Sequence, residues 1–254
     1  MIDQSRPLNA AIKVPAVTLG FWMIKILATT LGETAGDTVS MSWDMGYLVG
    51  TAIFGAALLI MVTLQIRADR FRPWLYWTTI IASTTAGTTM ADFATRSLGI
   101  GYTGGSAVLL GLVLLSLFAW QRITGSIAVE NVTDPKSEAL YWTTITFSQT
   151  LGTALGDWAA DTGGLGYLGG ATMFALGLIV LVGLWRFTSA NRVLLFWAAF
   201  ILTRPLGATV GDFLDKPLAK GGLDLSRPLA SLVLAIAIGL LIQFLPQRAA
   251  SKRH

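Results

Sequence analysis

A seventeen-residue pattern occurs four times in this chain. "FWMIKILATTLGETAGD" ends at Asp37, "YWTTIIASTTAGTTMAD" at Asp92, "YWTTITFSQTLGTALGD" at Asp157 and "FWAAFILTRPLGATVGD" at Asp212. Each copy opens on an aromatic–Trp pair and closes on an Asp 15 residues after the Trp. A glycine stands five before each Asp (Gly32, Gly87, Gly152, Gly207) and a small residue one before it (Gly36, Ala91, Gly156, Gly211). Nine residues after the Asp, Gly-Tyr returns as Gly46-Tyr47, Gly101-Tyr102 and Gly166-Tyr167, and the fourth copy has "KPLAKGGLDLSRP" instead. The Asp residues are spaced by 55, 65 and 55, so the larger period is 120. A repeat on this scale is one supersecondary unit that buries its apolar face only against its neighbours.

Composition decides the solvent. Of the 254 residues, 54% are hydrophobic and 13% charged, about half the charge of a soluble domain. Apolar runs of about 20 residues recur, enough to cross a hydrocarbon core of about 30 Å. Each unit holds two such runs. The first helices are expected at about 16–36, 74–91, 139–156 and 193–211, the second at about 46–66, 103–121, 167–185 and 227–245. The expected fold is an all-α integral membrane protein. It has eight transmembrane helices in four parallel two-helix repeats (about 16–70, 71–125, 136–190 and 191–248) within one domain, residues 1–254, of two 120-residue halves. Units of two spans share one orientation, so the repeat axis runs along the membrane normal.

Charge sets the side. Twelve of the 18 basic residues, from Arg6 and Lys13 to Lys252 and Arg253, fall in the termini and the loops that follow second helices. Four, Arg96, Lys216, Lys220 and Arg227, fall on the opposite face. The positive-inside rule then places both termini in the cytoplasm. The net charge of +4 reflects that basic face, so no nucleic-acid partner is expected. The first apolar run is expected to be a mature span and not a cleaved leader, because Lys25 interrupts it and the segment returns three times.

The fourfold pattern resembles a bacterial family of integral membrane proteins built from four tandem two-helix repeats, each with a characteristic Trp, a repeat of unknown function. The resemblance covers nearly the whole chain. It implies an eight-helix inner-membrane protein and implies no activity.

Chemistry is bounded by what is missing. There is no cysteine, and His254 is the only histidine. This leaves no thiolate, Fe–S or imidazole site, no cofactor is expected, and a lipid-acting enzyme lacks a nucleophile–base pair. Second helices such as "SAVLLGLVLLSLFAW" are almost wholly apolar and are expected at the periphery, against lipid. First helices carry the polar residues, among them Thr29, Thr84 and Gln149, and are expected at the centre, where polar side chains face other helices or water. Gly32-x-x-x-Gly36 suits close helix contact.

Counted back at about 1.5 Å per residue, each Asp lies near the membrane boundary, Glu33 about 6 Å deeper, Arg204 about 12 Å and Lys25 about 18 Å. Asp37, Asp92, Asp157 and Asp212 read either as helix stops after glycine or as a negative outer vestibule that attracts cations. Lys25, Glu33 and Arg204 break the repeat. Ile80, Ile145 and Phe200 match Lys25; Thr88, Thr153 and Ala208 match Glu33; Thr29, Thr84 and Gln149 match Arg204. A structural pair Glu33–Arg204 is one reading, and a role in ion passage the other. Pro205 predicts a kink, or a broken helix lining a cavity. The glycines of Gly99-Gly101-Gly104 and Gly164-Gly166-Gly169 are read as tight turns between spans and not as nucleotide loops.

The functional expectation is a small secondary transporter or channel-like protein. Its path runs between the first helices, and it takes a hard cation, divalent or proton-coupled, because the available ligands are oxygens. Glu33 and Asp37 are the candidate metal ligands. The alternative is a scaffold or accessory subunit whose buried charges are structural. The lipid bilayer and a small ion or solute are the expected partners, with homo-oligomerisation left open.

Overall fold

The computed structural model describes residues 12–250; Arg6, Lys252, Arg253 and His254 lie outside them. Eight long α-helices make up the described chain: α1 (Leu19–Asp37), α2 (Gly46–Arg67), α3 (Pro73–Asp92), α4 (Gly101–Thr124), α5 (Pro135–Asp157), α6 (Gly166–Phe187), α7 (Arg192–Asp215) and α8 (Arg227–Phe244). Among the described residues the only β pairing is an isolated bridge, Pro15–Ala249. Each helix stands within a few residues of its expected place. α5 begins earlier, because Asp134 caps it by accepting from the amides of Lys136 and Ser137, which satisfies donors a helix start otherwise leaves open.

The four first helices close a ring, α1 on α3, α3 on α5, α5 on α7 and α7 on α1. Each second helix packs chiefly on the first helix of the next unit: α2 on α3, α4 on α5, α6 on α7, and α8 back on α1. The last unit thus closes on the first. Beyond the helices, Ala16 N–H donates to Arg248 O and Ala250 N–H to Val14 O, both at 2.8 Å. The two ends of the described chain therefore meet on one face, here called the Trp end. Lys13 ties them down: its ammonium donates to the carbonyls of Gln65, Ile66 and Ala68 at 2.9–3.2 Å and pairs with Glu138 at 2.5 Å.

The repeated glycine explains the closure. A Cβ on Gly32 would lie 2.4 Å from Thr84 Cγ2, and one on Gly87 2.9 Å from Gln149 Cβ. A Cβ on Gly152 would lie 2.1 Å from Arg204 Cγ, and one on Gly207 2.1 Å from Thr29 Oγ1. In every unit the glycine receives the residue eight before the Asp of the next unit. One turn on, Gly36 faces Thr88, Gly156 faces Ala208 and Gly211 faces Glu33. The aromatic pair interlocks in the same cyclic order. Phe21 stacks on Trp77, Tyr76 on Trp142, Tyr141 on Trp197 and Phe196 on Trp22, with centroids 5.5, 5.7, 6.2 and 5.9 Å apart.

Five helices, α2, α4, α6, α7 and α8, are long and apolar enough to cross a membrane, which makes this a membrane protein. Second helices expose rows of large apolar residues such as Leu59, Ile60, Leu114, Leu115, Ile179 and Val180; a belt of this size is not left against water. α1, α3 and α5 have the length but carry threonines, serines and charges, most of them buried between helices.

Two expectations are corrected. The Asp residues do not stop their helices. After Asp37, Asp92 and Asp157 the chain continues in one widened π turn, Thr38–Ser42, Phe93–Ser97 and Trp158–Thr162, while α7 continues as α-helix to Asp215. The reversal comes later, at glycines with positive φ: Gly46, Gly99, Gly101, Gly164 and Gly166. These include two glycines of each G-x-G-x-x-G stretch. Nor does Pro205 break its helix: α7 is α-helical on both sides of it.

Gly152→Val tests the interlock. Its side chain has no room beside Arg204, so it is expected to cost at least about 1–3 kcal/mol and to lower the unfolding temperature of purified protein by several degrees. Gly183→Ala on α6, where nothing lies within 4 Å, is expected to stay within about 0.5 kcal/mol of wild type.

Candidate functional site

The ring encloses a column of five tiers, read from the Trp end. Next to the aromatic pairs, where the Tyr76 and Tyr141 hydroxyls meet at 2.6 Å, comes Lys25 with Ile80, Ile145 and Phe200. Thr29, Thr84, Gln149 and Arg204 follow. Above them are Glu33, Thr88, Thr153 and Ala208, and then the four Asp residues. No side chain from the Lys25 tier to the Glu33 tier exposes more than 2% of its surface, so the column is closed in this conformation.

Arg204 and Glu33 meet at the heart of it. α7 delivers Arg204 past Gly152, and both guanidinium Nη atoms donate to Glu33 Oε2, at 3.1 and 3.0 Å. The same Nη2 reaches Thr88 Oγ1 at 2.6 Å and Thr153 Oγ1 at 2.5 Å. One arginine thus joins all four ring helices. Removing water from both ions costs several kcal/mol each, and their attraction offsets this only with full hydrogen bonding; the two hydroxyls supply part of that. Thr88 and Thr153 were not among the candidate residues of the sequence, although they occupy Glu33's position in their own units.

The Asp tier is not a bare negative ring. All four carboxylates are buried, and two cations bridge them in pairs. Arg96 lies 2.9 Å from Asp92 and 3.1 Å from Asp157. Lys216 lies 2.9 Å from Asp212 and 2.5 Å from Asp37. Each bridging cation stands four residues after the Asp of its own unit and crosses to a neighbouring unit. Units one and three have Met41 and Asp161 there, so the fourfold frame carries a twofold charge pattern. Arg227 of α8 adds a contact to Asp215 at 3.1 Å and to Asp37 at 3.9 Å. The open acidic vestibule expected from the sequence is corrected accordingly: its counter-ions are built in. Arg96, Lys216, Asp215 and Arg227 escaped sequence reasoning because they were counted as loop charges. For Arg96 and Lys216 the signal was the i,i+4 spacing from Asp92 and Asp212 in alternate units; Asp215 and Arg227, 12 residues apart, carried none.

Glu33, Asp37 and Asp212 come together, with one carboxylate oxygen of each within 4.8 Å of the others. Asp92 and Asp157 sit in the other pair, under Arg96. Lys25 does not join the Glu33 pair. Its Nζ has no hydrogen-bond partner and sits 4.0 Å from the centroid of the Phe200 ring. Thr29 turns its hydroxyl to the carbonyls of Ile26 and, across to α7, Thr203. Gln149 donates to Ser83 Oγ at 3.4 Å, and Thr84 packs beneath Gly32. Three clustered carboxylates and two threonine hydroxyls form a hard oxygen donor set of the kind that suits Mg²⁺, Mn²⁺ or Ca²⁺. Arg204 and Lys216 occupy that set as internal cations.

A family model described as Repeat of Unknown Function (DUF347) matches residues 20–71, 75–126, 140–191 and 195–249. These stretches are the four units of the ring. No curated protein and no solved structure matches the chain.

The pair is testable by a double-mutant cycle in denaturing detergent. Arg204→Gln strands the Glu33 carboxylate and is expected to destabilise by about 3–5 kcal/mol. Adding Glu33→Gln is expected to recover part of that loss. Strictly additive single and double variants would mean the two side chains do not interact.

Proposed function

We propose that this chain, which belongs to the Repeat of Unknown Function (DUF347) family, is a small secondary transporter that moves a hard divalent cation in exchange for protons. One observation carries the reading. Glu33, Asp37 and Asp212 gather their carboxylates at the Asp end of a buried polar column. Charged groups inside a membrane are costly and in general mark ion or proton paths. The arriving cation takes the place of internal ones. Lys216 leaves Asp37 and Asp212 first, since its side chain, 9% exposed, is more open than that of Arg204; Arg204 then yields Glu33. Protons neutralise the same carboxylates when the cation leaves, which couples the two flows. The aromatic floor at Tyr76 and Tyr141 is the second gate, and a parallel repeat of two halves supplies the two elements that rock against each other.

The membrane setting belongs to the same proposal. All eight helices span, the apolar second helices face lipid, and the Trp end lies in the cytoplasm of a bacterial inner membrane. The distribution of basic residues and the meeting of the two ends of the described residues on one face support this.

A second reading has its own observation. Each of the four repeat Asp residues and Glu33 has a cationic partner, as a scaffold held by ion pairs would require. Flux separates the two. Purified protein in liposomes, with an internal Mn²⁺-quenched dye and a pH dye, is expected to pass Mn²⁺ with counter-movement of protons. Glu33→Gln, which keeps the size and an acceptor for Arg204, is expected to slow both at least tenfold while remaining folded. Wild-type flux in that variant would sink the assignment of Glu33, and wild-type protein that passes neither ion would favour the scaffold.

A further inference from the structure

A second cluster lies nearer the Trp end, beneath the Arg204–Glu33 pair, and its polar atoms are left over. Lys25 Nζ, Arg204 Nε, Thr84 Oγ1, Ser148 Oγ and Gln149 Oε1 are all buried, and none has a hydrogen-bond partner. They come from α1, α7, α3 and α5, the four helices of the ring, and span about one helical turn, roughly 6 Å of depth. Buried polar atoms in folded proteins are nearly always partnered, so five orphans in one slab call for an explanation.

The charge is out of balance in the same slab. It holds two basic side chains, Lys25 and Arg204. The nearest carboxylate, Glu33, receives both Nη atoms of Arg204, and no hydrogen bond joins it to Lys25. The one favourable polar contact of Lys25 is the face of Phe200. The frame does not need a lysine there, because Ile80, Ile145 and Phe200 fill the position in the other units. Water can satisfy hydroxyls and an amide, but only an anion lets both basic groups carry their charge side by side.

We propose that this slab is a binding site for a small monovalent inorganic anion of the halide class. The Lys25 ammonium and the Arg204 Nε–H are its charged donors. The Thr84 and Ser148 hydroxyls rotate to donate to it, and the Gln149 amide turns its NH₂ inward. One excess positive charge sets the valence. The tight cyclic packing of glycines against Thr84, Gln149 and Arg204 sets the size. The site lies two tiers from the Asp carboxylates and does not depend on the cation-transport reading.

Binding is read without any flux assay. The full-length chain in neutral detergent is unfolded by heat in sodium chloride, sodium bromide and sodium gluconate at equal ionic strength. Wild-type protein is expected to unfold several degrees higher in either halide than in gluconate, with a saturating dependence on halide concentration. Lys25→Met is expected to lose that difference and, in gluconate, to unfold at or above the wild-type temperature, since it removes an unpaired buried amine. Thr84→Val keeps the shape that packs against Gly32, so it stays informative if Lys25→Met does not accumulate; it is expected to weaken the halide effect several-fold. Wild-type protein indifferent to halide, or halide shifts unchanged in either variant, would overturn the site.

Discussion

Close approach of the four first helices is the constraint on which the rest depends. A glycine five before each Asp lets the neighbouring helix set a side chain against its backbone, at distances no Cβ tolerates. Lipid gives helices no hydrophobic reason to associate, so association in a membrane comes from packing and from polar contacts between helices. Here both operate at the same places. The residues that press on the glycines are Thr84, Gln149, Arg204 and Thr29, which are polar, and the tight fit carries them into the centre. Second helices then have only to cover the outside, which explains why they are almost purely apolar.

The tight ring makes its own demand on charge. With water excluded, an ion on the axis is costly unless it finds a partner within a few ångströms, and among the column's basic groups Lys25 has no acceptor. Arg204 finds its partners by reaching Glu33, Thr88 and Thr153 on three other helices. Arg96 and Lys216 do so by bridging Asp residues of neighbouring units. Fourfold backbone geometry thus carries a twofold arrangement of bridging cations, and a single ion pair that obeys neither symmetry. The direction of the column comes from the repeat itself, which runs from the aromatic pair to the Asp in the same sense in all four units.

Much of this was legible in the residues. Four copies of the pattern announced the units, and the contrast between "SAVLLGLVLLSLFAW" and threonine-rich first helices announced which would be inside. Lys25, Glu33 and Arg204 stood out because each broke a column of otherwise matching positions. The role of the Asp residues was not legible, since Gly-Asp is a common helix end and nothing local predicts a π turn after it. Nor was the neutralisation of the Asp tier. Arg96 and Lys216 look like loop cations until a continuing helix turn folds them back over the carboxylates.

The sequence by itself determined the repeat, the membrane class and the sorting of helices into polar and apolar, because these follow from periodicity and from the cost of placing polar groups in lipid. Only the tertiary structure decided the cyclic order in which α8 closes on α1, which Asp pairs with which, and that Glu33 is held by Arg204 while Lys25 is left without an acceptor. Those are contacts between residues up to about 200 apart in the chain, and they are set by the distance between backbones. That distance is fixed by the glycine interlock around the whole ring and is a property of no single unit.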